Sequence, residues 1–389
     1  MTKATTTPSR EGTHILPLQM IFAFNGMGIA LWFPRIPDVK ADLEISLFAL
    51  SICFFMLPFG TMIGFLGAAK VVKRLGTKRS CAWVNAGFLI GFILPALAWN
   101  AVTLGIALFI TGLSVASVEV GMNTKANEIE ADTGRRYMTR CHAFWSFGSM
   151  AGALVGGAFA QADISFLTQQ LLVEPALAVG TIWFALQLPD DQKSDGPQSG
   201  GMALPSKAIL ALCLLPMGAS LIEGAIMEWS ALFLRDDIGI APWAAAATYS
   251  GFALSMGIGR MLGDGLADRY QTRTIIVVSS LLSAVGIFFF SLSPGFWLAL
   301  PTACLLGLGI ANIYPLTLSI VGKSSGDPAT NVAAMTFVAF MAFLIGPPLI
   351  GSLGSLIGLP LALTCLTPIA IYPLIGIYTG KISIPEGRA

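Results

Sequence analysis

Apolar residues fall in twelve long runs, near 16–34, 46–69, 80–99, 102–125, 141–162, 166–188, 207–234, 242–263, 274–293, 297–321, 332–352 and 360–379. A helix needs about 20 apolar residues to cross the hydrocarbon core of a bilayer, so the pattern predicts twelve membrane-spanning helices and an all-α integral membrane fold. The longest polar stretch between runs is 189–206, PDDQKSDGPQSGGMALPS, at the middle of the chain. Its Pro, Gly and Ser content reads as a flexible linker. The expected organisation is therefore an N-terminal tail (1–15), a six-helix bundle (16–188), the linker (189–206), a second six-helix bundle (207–380) and a C-terminal tail (381–389).

An internal repeat supports two pseudo-symmetric halves. KRLGTKR (73–79) follows the second run and DRYQTR (268–273) follows the eighth; pairing Arg74 with Arg269 gives an offset of 195 residues (269 − 74). The same offset lays GLSVAS (112–117) over GLGIAN (307–312). Loop charges then suggest orientation. The 70–79 loop, KVVKRLGTKR, carries five basic residues, 125–140 adds Lys125, Arg135, Arg136 and Arg140, and 264–273 adds Arg269 and Arg273. The opposite loops hold only Arg35, Lys40 and Arg235. Basic loops stay inside, so both termini are expected in the cytoplasm. The polar, Thr-rich first fifteen residues have no apolar segment ahead of a cleavage site and read as a tail, not a signal peptide.

Composition sharpens the class. The chain is 55% hydrophobic and 11% charged, where a soluble domain carries about 25% charged residues. Its 42 glycines suit helices that pack closely in a membrane. A net charge of +1 gives no sign of a nucleic-acid partner. The six cysteines show no CxxC pairing and no neighbouring His cluster, so neither a disulfide framework nor a metal site is expected. No nucleophile elbow, metal-ligand set or Walker loop is present, which argues against an enzyme and against ATP-driven pumping. No cofactor is expected; a proton gradient would be the driving force.

GDGLADRYQTR (263–273) resembles the loop signature that major facilitator proteins carry between spans 2 and 3 and again between spans 8 and 9. The segments LWFPRIPDV (31–39), EVGMN (119–123), HAFWSFGSMAGALVGG (142–157), EGAIMEWSALFL (223–234) and FLIGPPLIG (343–351) are similar to a bacterial branch that includes rhizopine-associated membrane proteins. The resemblance covers essentially the whole chain. It implies transport by alternating access, with the solute held between the halves. It also implies a loop carboxylate and arginine that latch the cytoplasmic side, which carry over to Asp268 and Arg269. The first half departs from the signature: Lys73 stands where Asp268 stands in the second half, next to Arg74, so the gate Lys73, Arg74, Asp268 and Arg269 is lopsided.

Ionisable groups inside a membrane are expensive and are retained for a partner or a task. Glu119, Glu223 and Glu228 lie well inside predicted spans, Arg260 and Asp264 nearer the end of span 8, and His142 opens span 5. In span 4, Gly112, Ala116, Glu119, Asn123, Asn127 and Glu130 recur at helical spacing and share a face, which should look inward; Glu128 points away, towards solvent. His142, Trp145 and Ser149 share a face of span 5, where Glu119 or Asn123 could approach His142; a helix-end histidine facing the cytosol is the other reading. Glu223 and Glu228 are five residues apart and cannot face one cavity unless span 7 breaks, for which Pro216, Gly218 and Gly224 provide the means. Glu223 is the first candidate for proton coupling, followed by Glu119, Glu228 and His142; each buried glutamate could equally brace two helices. Asn25, Asn123 and Asn312 are candidate hydrogen-bonding groups for a solute, or helix–helix glue. Trp32, Trp145 and Trp229 could offer flat faces to a sugar or cyclitol ring, or belong to an interfacial belt. Asn312-Ile-Tyr-Pro315 and Pro347-Pro348 should interrupt spans 10 and 11.

The leading expectation is a secondary transporter that moves a small polar solute, coupled to protons, and works as a monomer in the lipid bilayer. Efflux of amphipathic compounds by proton antiport is the alternative, and a non-transporting membrane sensor a more distant one.

Overall fold

The computed structural model describes residues 15–191, 204–207, 209–382 and 384; most of the two tails and of the linker expected from the sequence lies outside the described residues. The described chain forms twelve long helical segments and no strand. They are Ile15–Asp42 (α1), Leu47–Leu75 (α2), Thr77–Leu97 (α3), Ala101–Thr133 (α4), Met138–Gln161 (α5), Phe166–Leu186 (α6), Leu210–Asp237 (α7), Pro242–Arg269 (α8), Thr272–Ser291 (α9), Phe296–Gly322 (α10), Thr330–Ile357 (α11) and Leu359–Tyr378 (α12). All but α8 are long and apolar enough to cross a membrane by themselves. α8 is 28 residues long but rich in Ala, Gly and Ser, with charges in its last turns. It is packed against α5, α10 and α7, so lipid-facing apolarity is demanded of it less than of its neighbours.

The helix ends follow local chemistry. Ser46 caps α2 by accepting from the Ala49 amide. Asn100 and Thr103 form a capping box at the start of α4. Gly134, in the left-handed region at φ 67°, ends the same helix. Asp327 accepts from the Thr330 amide at the start of α11. α10 is interrupted where the sequence suggested: one helical stretch ends at Ile310 and the next begins at Ile313, with Asn312 between them. Two other expected breaks do not occur. α11 runs without interruption through Pro347 and Pro348, and α7 is a regular helix from Leu210 to Leu232, through Pro216 and Gly224.

The internal repeat is visible as one packing device used twice. A Cβ added to Gly112 of α4 would sit 2.1 Å from the Leu57 carbonyl oxygen of α2, and one added to Gly307 of α10 would sit 2.3 Å from the Phe252 carbonyl oxygen of α8. Both residues of the second contact are 195 positions beyond those of the first (307 − 112 and 252 − 57). Lipid tails are as apolar as side chains, so helices associate in a bilayer by close approach instead of by escape from water. Glycine at these crossings permits it.

The two halves meet along two helix pairs, α5 with α8 and α2 with α11. Along the first, Gly157 lies against Ala246, Ser250 Oγ donates to the Met150 carbonyl (3.1 Å), and Gly257 admits the Phe147 ring. Along the second, Gly351 lies against Ser51, and Phe65 meets Phe340 edge to face at 5.3 Å.

Candidate functional site

The ends of α2, α3, α4, α5, α8 and α9 that carry the basic loops define one side of the molecule, called here the basic side. On the opposite side, ion pairs tie the halves together. Asp38 of α1 accepts from Arg35 Nε and, through its other oxygen, from Arg235 Nη2 of α7, each at 2.6 Å. Arg235 Nη1 also donates to the Pro34 carbonyl at 3.1 Å, and Lys40 pairs with Asp236 at 2.8 Å. Aromatic rings lie beneath these charges. Phe54 of α2 meets both Trp32 of α1 and Trp229 of α7, and Phe33 meets Tyr249 of α8.

Deeper in the molecule a polar cluster bridges the halves. Arg260 of α8 donates Nη1 to Ser146 Oγ of α5 at 2.9 Å and Nη2 to Glu223 Oε1 of α7 at 3.5 Å. The Arg260 and Glu223 side chains keep 17% and 16% of their surface, enough for water to reach them. Tyr249, buried on α8, interacts with Ser149, Glu223 and Arg260, and His142 feels the Arg260 charge one turn below Ser146. Ser146 Oγ also reaches the His142 carbonyl at 3.2 Å. His142 rests edge-on against Phe22 at 5.4 Å. Trp145, half-buried on α5, donates Nε1 to Asn25 Oδ1 (3.0 Å), and Asn25 Nδ2 donates to Asn85 Oδ1 of α3 (2.9 Å). One cation thus connects a hydroxyl of the first half with a carboxylate of the second.

The residues singled out from the sequence divide in their placement. Glu223 and His142 come together around Arg260, while Trp145, the neighbour of Ser146 in the chain, is bonded to Asn25. Glu119 does not join them: it accepts from Asn123 Nδ2 at 3.0 Å on its own helix and interacts with Tyr314 of α10. No hydrogen bond joins either residue of that pair to His142 among the described residues. Glu228 is half-buried with no hydrogen-bond partner among the described residues; because α7 is unbroken, it faces away from Glu223. Asn25 is spent on bracing α1, α3 and α5, and Asn312 donates to the Gly259 carbonyl at 3.0 Å, joining α10 to α8. Trp32 and Trp229 are buried beside Phe54, in the packing that joins the halves. Sequence reasoning placed Arg260 near a helix end and gave it no role. Its signal was a lone cation in an otherwise uncharged stretch of α8. Glu174, a fourth acid within a span, was passed over altogether.

On the basic side, Lys73, Arg74, Asp268 and Arg269 are exposed and make no ion pair among the described residues. The acid missing from the first-half loop is supplied from elsewhere. Asp191, just after α6, accepts from Thr77 Oγ1 (2.6 Å), the Lys78 amide (2.8 Å) and Lys125 Nζ (3.2 Å), so its carboxylate sits on the first turn of α3. Burial works against the charge of Asp191, but these donors outweigh it and hold the carboxyl below its ordinary range. Glu128, expected in solvent, instead accepts from Thr77 Oγ1 and from Lys125 Nζ at 3.0 Å. Glu130 accepts from the Tyr137 and Met138 amides at the start of α5.

Two six-helix halves, a charged seal on one side and a cation bridging the halves at depth define a multi-pass membrane transporter. A sequence profile of the Major Facilitator Superfamily matches residues 18–347. The chain belongs to that superfamily. It is similar to the "Uncharacterized transporter y4wD" of Sinorhizobium fredii, 29% identical over 85% of this chain and 89% of that one. The "Membrane protein MosC" of Rhizobium meliloti is 26% identical over 94% of this chain and 89% of that one. Among solved structures, the nucleoside transporter NupG superposes with a TM-score of 0.73 at 14% identity, over 95% of this chain and 99% of that one, a likeness of fold.

Proposed function

We propose that the chain moves a small polar solute, of sugar or cyclitol type, across a bacterial inner membrane by alternating access, with proton coupling at the Arg260–Glu223 pair. The basic side is the cytoplasmic one, with both termini on it, and the chain works as a monomer. The observation that carries the reading is that Arg260 divides its donors between Ser146 in one half and Glu223 in the other. Such a link must change whenever the halves rock against each other. Protonation of Glu223 removes its charge and frees Nη2 for a solute hydroxyl; loss of the proton restores the pair and returns the solute. A guanidinium offers donors in a fixed fork, which suits a vicinal pair of hydroxyls. Trp145 is the tryptophan of the three left at the edge of this cluster, where its ring can cover a sugar face. The ion pairs of Asp38, Arg235, Lys40 and Asp236 seal the periplasmic side, while the exposed Lys73, Arg74, Asp268 and Arg269 correspond to an unlatched cytoplasmic gate.

A second reading, efflux of amphipathic compounds by proton antiport, draws on the apolar character of the other interface, where Phe65, Phe340 and Phe343 stand edge to face. A thermal-shift screen of the purified protein against sugars, cyclitols, organic acids, amino acids and lipophilic cations, at two pH values, separates the two. A ligand that binds the folded state raises the melting temperature by mass action. The transport reading expects a pH-dependent shift with polyhydroxylated rings, lost in Arg260→Gln. Shifts confined to lipophilic cations would replace it with efflux.

A further inference from the structure

Away from the bridging cation, the first bundle encloses a polar seam between α1, α3 and α6. Gln169, Gln170, Glu174 and Thr181 of α6 and Asn85 of α3 are all fully buried. Their hydrogen bonds run in one direction. Arg35 Nη1 donates to Gln169 Oε1 (3.0 Å), Gln169 Nε2 donates to Gln170 Oε1 (3.1 Å), and Gln170 Nε2 donates to Glu174 Oε1 (3.3 Å). Two side-chain amides therefore carry the polarity of the Arg35 guanidinium down to the carboxyl, each bond polarising the next. Gln169 and Gln170 are held in place by donating also to the Leu31 and Phe92 carbonyls.

The chain of bonds then stops with capacity to spare. Glu174 Oε2, Asn85 Nδ2 and Thr181 Oγ1 are buried and have no protein partner. Glu174 and Thr181 lie on one face of α6, seven residues and so about 10 Å apart along its axis. Gln170 bonds Phe92, and counting back along antiparallel α3 from that contact puts Asn85 beside residues near 177, between them. α1 closes the seam with a glycine: a Cβ at Gly28 would lie 2.3 Å from Leu89 Cδ2 and 3.0 Å from Glu174 Oε2. Buried polar atoms are rarely left unpaired, and leaving one so costs about 1–3 kcal/mol. Three of them facing one seam, an acceptor, a donor and a hydroxyl, form the polar surroundings in which buried water is held. The charge environment points the same way. The remaining charged residues of α1 and α3, Asp38, Lys40, Asp42, Lys78 and Arg79, lie at the far ends of those helices, and α6 has none besides Glu174. Arg35 is reached only through the two amides and is already paired with Asp38. An ionised carboxylate sealed here would have no compensating cation, which is costly in a membrane.

We propose that Glu174 is a proton-binding site inside the first bundle, served by ordered water that links its free oxygen to Asn85 and Thr181. Hydrogen bonds tie Asn85 through Asn25 to Trp145, and tie Glu174 through the two glutamines to Arg35 and Asp38 at the seal between the halves. These N–H groups orient the site and do not themselves relay protons. The site goes beyond the Arg260–Glu223 reading and stands without it.

Infrared spectroscopy of the purified protein at neutral pH tests this directly, because a protonated carboxylic acid absorbs apart from ionised carboxylates and amides. The wild type is expected to show such a band, to shift it on transfer into heavy water within minutes, and to lose that component in Glu174→Gln but keep it in Glu223→Gln. Thr181→Val, close to isosteric, is expected to slow the heavy-water shift at least several-fold. If Glu174→Gln fails to fold, Gln170→Met removes the donor on the same carboxyl, and the band must move in position. The proposal is overturned by a spectrum unchanged in Glu174→Gln, by a band that ignores heavy water (a dry structural brace), by an unmoved band in Gln170→Met, or by an unaltered shift rate in Thr181→Val. Failure of the Arg260–Glu223 reading would appear in solute binding and leave this band as it is.

Discussion

Arg260 of the second half holds Ser146 of the first at 2.9 Å, with the carboxylate of Glu223 on its other arm at 3.5 Å. Because the guanidinium serves both halves, it is placed to register their relative position. Lysine cannot hold both partners with its compact ammonium group. Arg260→Lys is therefore expected to lower solute flux in proteoliposomes at least about tenfold, equivalent to about 1.4 kcal/mol, with little change in melting temperature. An unchanged flux would remove Arg260 from the mechanism.

Asp191 gives a pH signature outside the membrane. Its folded carboxyl titrates below the value of an unfolded aspartate, about 3.9, because Thr77, Lys78 and Lys125 donate to it. The stability it contributes is present above the unfolded value and is lost as pH falls through the lowered folded value. Asp191→Asn should lower the melting temperature at neutral pH, and the difference from wild type should shrink below about pH 4. A difference that grows on acidification would contradict the assignment.

Gly76 precedes the turn that Asp191 holds. Its φ of 86° suits glycine, and a Cβ there would lie 2.0 Å from Asp191 Oδ2. Gly76→Ala combines left-handed strain with this clash and should cost about 1–3 kcal/mol, read as a fall in melting temperature. In an Asp191→Gly background the cost should be smaller, since the clash is gone and only the strain remains.

The repeated crossing of glycine on a carbonyl predicts matched behaviour. Gly112→Ala and Gly307→Ala each insert a methyl where there is 2.1 and 2.3 Å to the neighbouring oxygen. Each should destabilise by about 1–3 kcal/mol, the usual cost of overpacking. A large effect in one and none in the other would mean that the two halves do not use the crossing equivalently.

The seal on the side opposite the basic loops is testable by access. Ser51 is buried next to Gly351 and Trp229, where the halves meet. With the six native cysteines replaced, Ser51→Cys should react slowly with a water-soluble thiol reagent. Adding Asp38→Asn, which disarms both Arg35 and Arg235, should speed the reaction several-fold. Equal rates would show that the charges do not hold the halves together.

The fold was legible because a bilayer demands long apolar runs, and because the 195-residue repeat preserves the glycines that set its crossings. α8 was found by the same runs although its small residues make it the least apolar span. The site was legible in part. Glu223, His142 and Trp145 were found as polar or aromatic residues in apolar runs, but periodicity could not say that Arg260 is the hub for the first two. Nor could it tell that Asn25, Asn312, Trp32 and Trp229 are committed to helix contacts, since such residue types serve solute and packing alike. Asp191 was beyond the reach of a local motif: it replaces an acid of the 70–79 loop from 115 positions downstream of Thr77's neighbour Gly76 (191 − 76). Glu174 was missed because its run, with Pro175 beside it and two glutamines ahead of it, reads as an ordinary span.

The most direct test of proton coupling at the Arg260–Glu223 pair is solute-driven proton movement in proteoliposomes carrying an internal pH dye, using the strongest ligand from the thermal screen. An imposed solute gradient is expected to move protons in the wild type. Glu223→Gln is expected still to exchange solute across the membrane but to move no protons with it. Proton movement of wild-type size in Glu223→Gln, or solute flux in the wild type that neither moves protons nor responds to a pH gradient, would contradict coupling at this pair.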